Sequence, residues 1–377
     1  MKVAIEETLK TGAICEATVC YTGDILDTKR TKYTLEYYVK MAKELESLGA
    51  HMIALKDMAG LLKPYAAFEL ISALKAEVNI PIHLHTHDTS SGQLATLVKA
   101  AEAGVDIVDC AFGPLSGLTS QANLNTLVEM MRYTERETGM EYEALERTGE
   151  YWGVVRQYYS AFETSQRYGA ADVYRHEMPG GQYTNLFQQA SSLGLAERWF
   201  EVCDRYRQVN ETFGDIVKVT PSSKVVGDMA LMLVANNLQA SDLIQGGKDV
   251  AFPQSVVDMM QGWLGQPEGG FPEDIRNKVL KDKDYFTDRP GLHKDPMDLA
   301  VVRAEVEKKL ERKITDAELM AYVMYPDVFV DFANHKRIYG EVMDIPTPVY
   351  LYGLPMHEEV QIELDEGKTL FIKLVAI

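Results

Sequence analysis

Between residues 14 and 113 four strand-like segments alternate with helical ones, and this tandem limits the chain to a fold built on a parallel sheet. The segments are ICEATVCYTGD (14–24), HMIALKD (51–57), PIHLHTHD (81–88) and DIVDCAFG (106–113). A helical stretch ends near Gly12, and others run from about Tyr33 to Leu48, from Ala66 to Val78 after Pro64, and from Gln93 to Ala103. Gly49 and Gly104 stand where a helix C-cap calls for a left-handed residue. Strands separated by helices return in the same direction and so pair in parallel.

Each strand ends in polar or small residues: Tyr21, Thr22 and Asp24; Lys56 and Asp57; His85, His87 and Asp88; then Gly113 and the loop SGLTSQ (116–121). In a (β/α)8 barrel the chemistry collects at these C-terminal strand ends. Only four units are legible, so the expected fold is α/β, the C-terminal half of a (β/α)8 TIM barrel (strands 5 to 8) over residues 1–140. Helical periodicity then recurs around 143–168, 196–213, 222–237 and 296–311, broken by the Gly/Pro loops MPGGQ and GQPEGGFP, and predicts a helical funnel region over 141–311. Another helix is expected at 315–325. From Pro346 onward VYLYG, EVQIELDEG and TLFIKLVAI read as short strands, the last two joined at Asp365, Glu366 and Gly367. This makes 312–377 part of a small α+β domain.

His83, His85 and His87 occupy alternate positions and therefore share one face of a strand, opposite Ile82, Leu84 and Thr86. Two readings are open. Core and loop histidines making ordinary hydrogen bonds are the commoner case for a single histidine. A pair at i and i+2 on a strand's C-terminal end, followed at once by Asp88 and Thr89, instead favours a metal such as Zn, Mn or Fe, for which imidazole is a suitable ligand.

A formal charge of −18 without a basic run argues against nucleic acid as a partner, and a small anionic substrate would need a local cationic pocket. Cys15, Cys20, Cys110 and Cys203 form no CxxC pair, which fits reduced thiols and a cytoplasmic location. No apolar run approaches the length of a membrane span.

ALKDMAGLLKP (54–64), PIHLHTHDTS (81–90), SGLTSQ (116–121), HEMPGGQYTNL (176–186) and DIVKVTPSSKVVGDMAL (215–231) together resemble the carboxyltransferase domain of the pyruvate carboxylase family. The resemblance covers nearly the whole chain in five ordered motifs. It implies an enzyme that carries CO2 from carboxybiotin to pyruvate to give oxaloacetate, with a divalent metal (Mn, Zn or similar), biotin on a separate carrier domain, and a tetrameric parent. Lys56 resembles the carboxylated lysine whose carbamate binds the metal. A free ammonium has no acceptor, so the site would require the modification; read alone, Lys56 is a lysine paired with Asp57 or another carboxylate. His85 and His87 resemble the two metal-ligating histidines, and His83 packs or hydrogen-bonds further inside.

Thr220 resembles the threonine that moves a proton between pyruvate's methyl group and the biotin ureido ring, a role a hydroxyl suits because it both donates and accepts. On the residues alone Thr220 and Ser222 cap a helix beginning near Ser223, and both functions are compatible. Ser223 and Lys224 resemble residues lining the biotin or substrate pocket, at a helix N-terminus that favours an anion; Lys224 read alone is a solvated helix residue.

Two departures stand out. Ser91 occupies the place where the family has glycine, and Ala122 follows Gln121 where the family has proline, which predicts a looser loop. The family's metal-binding aspartate, its pyruvate-binding arginine and glutamine, its biotin-carrying domain and its ATP-dependent domain have no counterpart here, so the chain alone is expected to be an incomplete, inactive part of a larger enzyme. Other readings are an oxaloacetate decarboxylase or transcarboxylase subunit on the same barrel, a metal-dependent aldolase or lyase, which leaves KVTPSSK unexplained, and a non-catalytic fragment that keeps only oligomer contacts.

Overall fold

The computed structural model describes residues 1–163, 166–244, 250–340, 342–343, 345–354, 359–364 and 368–373. The chain forms two compact units, Met1–Leu292 and His293–Ile377. In the first, strands β1 (Glu16–Cys20), β2 (Met52–Asp57), β3 (Ile82–Thr86) and β4 (Ile107–Val108) lie in chain order in one parallel sheet. Helix α1 (Lys2–Lys10) precedes the sheet, and α2 (Leu35–Ser47), α3 (Pro64–Glu77) and α4 (Gln93–Glu102) connect its strands. Thr34 caps α2 by accepting from the Tyr37 N–H, and Gly49 and Gly104 close α2 and α4 at φ +92 and +97, as the sequence predicts.

Burial alternates along β1 and β3, and on β2 it is interrupted only by the small, buried Ala54. Ala17, Val19, Ile53, Leu55, Ile82 and Leu84 point to the helices and are buried with Ala66, Ala67, Leu70, Ile71 and Leu74 of α3. Truncating one of these leucines to alanine costs about 2–5 kcal/mol, the lost transfer energy plus the cavity left behind. The opposite face carries Glu16, Thr18, Lys56, His83 and His85, none of them buried. Strand β4 is shorter than DIVDCAFG suggests. The Asp109 N–H still bonds to Leu84 O, but Ala111 turns away and bridges to Asn123, ahead of α5 (Leu124–Met131).

A second core in the same unit is helical: α6 (Tyr142–Tyr158) and α7 (Val173–His176) lead into α8 (Gly180–Ser192), α9 (Trp199–Thr212), α10 (Ser222–Ala235), α11 (Gln254–Met260) and α12 (Glu273–Leu280), and α8 to α12 enclose Leu186, Tyr206, Phe213, Val226, Met229 and Met260. Helix α8 begins inside MPGGQ, where the sequence suggested only a loop, because Pro179 supplies the entry and the two glycines are its first residues.

The second unit holds α13 (Leu299–Leu310), α14 (Asp316–Met324), α15 (Pro326–Tyr339), α16 (Thr347–Tyr352) and the antiparallel pair β5 (Glu359–Leu364) and β6 (Lys368–Lys373). Its core is Val306, Ile314, Leu319, Phe329 and Ala333. VYLYG, expected to be a strand, is helical in α16: Pro348 sets a helical φ in the first turn, and Gly353 ends the helix at φ +82. The β5–β6 hairpin is as expected, while its turn at Asp365, Glu366 and Gly367 lies outside the described residues.

Candidate active site

The strand register assembles the site. Cys20 pairs with Lys56 and Lys56 with His85 across β1, β2 and β3, so the three side chains leave one face in a row at the C-terminal ends of the strands. Asp109, just past β4, continues the row: the His85 Nδ1–H donates to its Oδ2 at 2.7 Å. The His87 Nδ1–H donates to the Thr119 carbonyl at 2.6 Å. Both Nδ1 atoms are thereby committed as donors, which leaves the Nε2 lone pairs of His85 and His87 facing each other at 3.3 Å.

Two lone pairs at that distance repel unless a cation or proton lies between them. Burial holds His87 below the usual histidine range, which disfavours the proton. Two nitrogens bound to one ion at about 2.0–2.1 Å and a near-tetrahedral angle would show this spacing. Each imidazole also has the outer-shell acceptor that metal-binding histidines generally use. The donor set therefore fits a metal. Among the described residues no group of three or more His, Cys, Asp or Glu side chains completes it, and the next residue in the row is Lys56.

The alternative reading of Lys56 fails. The fully buried Asp57 accepts from the backbone N–H groups of Gly60, Leu61 and Leu62 and from the Thr86 hydroxyl, and leaves nothing for a neighbouring lysine. Burial nonetheless pushes its carboxyl above the ordinary range. Beyond its backbone ladder bonds, the Lys56 side chain has no hydrogen bond or ion pair with another described residue. His83 behaves as expected of a supporting residue: its Nδ1 pairs with Glu16 at 3.0 Å, and its Nε2 lies 2.9 Å from Asp109 Oδ1 but out of line for a hydrogen bond. Burial pulls His83 down, yet Glu16 and Asp109 outweigh it and hold the imidazole above its usual value.

The space beside His87 explains the first glycine of MPGGQ, Gly180. A Cβ there would sit 3.0 Å from His87 Nδ1 and 3.0 Å from Thr119 O, in the middle of the bond that orients His87. Ser91, where glycine was expected, adopts φ +62, the left-handed conformation that glycine takes at least cost. Ala122 does not loosen its loop: it is fully buried and its carbonyl accepts from the Ala111 N–H.

Thr220 is exposed, just ahead of α10, and no side chain caps that helix. Ser222 instead bonds within its own turn, to Val217 O and Val219 O, so the capping alternative does not account for either residue. Ser223 is buried and its carbonyl accepts from the Tyr206 hydroxyl. Lys224 is exposed and paired with Asp228 at 2.7 Å, the surface role its residue type alone suggests. Among the described residues no hydrogen bond or ion pair links Thr220, Ser223 or Lys224 to the Lys56–His85–His87 group.

The segment before Thr220 is held to the end of β1 by residues the sequence did not single out. Lys218, two positions earlier, is 1% exposed and reaches Glu177 Oε2 at 3.1 Å and Thr22 Oγ1 at 3.2 Å. Glu177 also pairs with Arg30. Thr22 follows β1 and Glu177 follows α7, so this buried cluster joins the sheet core to the helical core beside the site. Asp109 had a signal, its place in the strand-end row; Glu177 and Lys218 had none, since only folding brings them within reach of Thr22.

The model of the conserved carboxylase domain matches residues 173–373, and an HMGL-like domain model matches residues 23–151. Pyruvate carboxylase of Bacillus subtilis is 48% identical over 377 residues, all of this chain and 33% of that protein. The carboxyl transferase domain of Rhizobium etli pyruvate carboxylase superposes with a TM-score of 0.96 at 50% identity, over 98% of this chain and 62% of that one. The same domain solved with pyruvate and biocytin matches equally well. This chain thus spans about a third of the curated relative and carries part of the TIM-barrel-type domain of the solved one. The chain belongs to the conserved carboxylase domain family, as the counterpart of a pyruvate carboxylase carboxyltransferase region.

Proposed function

We propose that the chain is part of the carboxyltransferase of a biotin-dependent pyruvate carboxylase, a whole enzyme that passes a carboxyl group from carboxybiotin to pyruvate to form oxaloacetate. The observation that carries this is the facing pair of Nε2 atoms on His85 and His87, with Lys56 beside them in register. His85, His87 and the carbamate of Lys56 would hold a divalent ion, which supplies Lewis-acid polarisation when bound. Asp109 and Thr119 keep both imidazoles in the tautomer that leaves Nε2 free. The Thr220 hydroxyl takes the proton from the pyruvate methyl group and gives it to the ureido ring, and the Lys218–Glu177 cluster holds its segment against the strand ends. Ser223 and Lys224 are proposed at the edge of the biotin or substrate pocket; the pairing of Lys224 with Asp228 means that it would have to exchange partners.

We further propose that the biotin carrier domain docks over this face, that the parent enzyme is a homo-oligomer, a tetramer by family resemblance, and that it works in the cytoplasm. Four free thiols support the last point, and among the described residues no helix is long and apolar enough to cross a membrane. The division into 1–140, 141–311 and 312–377 stands as a proposal supported by distinct cores; since the third core straddles residue 311, limited proteolysis near 292 or near 311 decides its second boundary. Absence of turnover by this chain alone is likewise proposed, on the unburied inner face of its sheet, and oxaloacetate formed by the purified chain would refute it.

The direct test is elemental analysis of the whole enzyme carrying His85→Ala or His87→Ala. At least a tenfold loss of bound metal is expected, because a ligand is removed outright. Unchanged metal content would end the assignment.

A further inference from the structure

Behind the loop that follows β3 lies a cavity of about 330 Å3, walled by Tyr183, Phe187 and Trp199 and lined also by Thr89, Gln166 and His176. The aromatic wall is rigid: Tyr183 and Phe187 both meet Trp199 edge to face, at 5.0 and 5.2 Å, and the Trp199 Nε1–H donates to the Tyr183 hydroxyl. The indole N–H of Trp199 is thus satisfied, and Tyr183 accepts. Three other polar atoms on the lining do not share this: His176 Nε2, Thr89 Oγ1 and Gln166 Oε1 are buried and have no hydrogen-bond partner among the described residues.

Their chemistry is defined by what their neighbours already use. The Met178 N–H donates to His176 Nδ1 at 3.0 Å, so Nε2 carries the ring proton and is a donor. Asp172 Oδ2, 3.9 Å away, is too far to accept it. Gln166 Nε2 donates to Tyr168 O, which leaves Oε1 as an acceptor. The Thr89 hydroxyl serves either way. Each such group costs about 1–3 kcal/mol when buried unmade, and three on one lining are beyond what packing explains.

We propose that this cavity binds a planar, uncharged heterocycle bearing an adjacent amide-type N–H and C=O, the edge found on a pyridone or a nucleobase. The aromatic wall takes the flat ring, His176 and the Thr89 hydroxyl donate to its carbonyl, and Gln166 accepts from its N–H. Arg167 and Asp172 contribute one charge of each sign to the lining, so nothing there selects an ion. The volume lies within the range of small-molecule sites and is roughly ten times the ~30 Å3 share of one water. Thr89 is two residues from His87, so a ligand here touches the loop that leaves the proposed metal site. The assignment does not depend on the carboxyltransferase reading.

The test is titration of 2-pyridone into the full chain, followed by ligand-observed NMR and tryptophan fluorescence, with toluene as the ring that lacks the edge. Binding at about millimolar strength is expected for so small a ligand, and tighter than toluene. Thr89→Val should weaken it about three- to tenfold, the loss of one neutral hydrogen bond, while the melting temperature stays level or rises, because the hydroxyl removed has no partner. Thr184→Phe, on the lining, should abolish binding by filling the space. Affinity no better than toluene's, affinity unmoved by both substitutions, or a Thr89→Val protein that melts early would each overturn the proposal.

Discussion

Replacing Lys218 by methionine keeps most of the side-chain volume and removes one charge from the cluster that joins the sheet core to the helical core. The ammonium is 3.1 Å from Glu177, 3.8 Å from Asp215 and 3.2 Å from the Thr22 hydroxyl. At an effective dielectric of about 20, unit charges 3.1 Å apart attract by about 5 kcal/mol. Desolvation offsets most of this while both partners are present. Lys218→Met removes the attraction but leaves Glu177, 6% exposed, buried as an anion. Breaking a buried pair in this way costs about 3–5 kcal/mol, and because Arg30 still faces Glu177 the lower end, about 3 kcal/mol, is expected. In a unit of this size that corresponds to a fall of roughly 5 °C in melting temperature, measured by calorimetry or by near-UV circular dichroism. Adding Glu177→Gln should recover part of the loss, since the stranded charge goes while Arg30, partly exposed, is hydrated. A Lys218→Met protein that melts within about 1 °C of the parent, or a double variant less stable than the single one, would refute the reasoning.

At Gly180, alanine should push His87 off the Thr119 carbonyl and weaken metal binding by about tenfold or more; Gly181→Ala, where a Cβ meets nothing within 4 Å, is the control, and equal affinities in a metal titration would disprove the steric argument. In the whole enzyme Thr220→Ser should stay active, whereas Thr220→Ala should fold and lose about two to four orders of magnitude in carboxyl transfer with biotin carboxylation intact; an early-melting Thr220→Ala that keeps its rate would make the residue structural. Burial pushes His176 down to about 4, so between pH 6.5 and 4 the unfolded chain binds the extra proton, and stability falls through that window as pH drops and levels off below it. The change amounts to about 3 kcal/mol, and urea unfolding of His176→Leu against the parent should show it as a difference in pH slope; parallel slopes would contradict it.

The local rules carried far in this sequence. Period-two burial, left-handed glycines at 49 and 104 and the succession of units predicted a parallel sheet in chain order, with His85, His87 and Lys56 at its strand ends, because side-chain direction and capping depend on a few neighbouring residues. The same rules misread VYLYG, since five alternating residues weigh less than the helical start imposed by Pro348, and they missed α8, whose two glycines resemble a loop until the space beside His87 is known. Tertiary structure alone decided which acceptor holds each imidazole. Asp109 reaches His85 from 24 positions away and Thr119 reaches His87 from 32. It also decided that Lys218 closes against Thr22 across 196 residues. A hydrogen bond or ion pair is selected by distance and by exclusion from water, and neither exists until the sheet and the helical core are packed together.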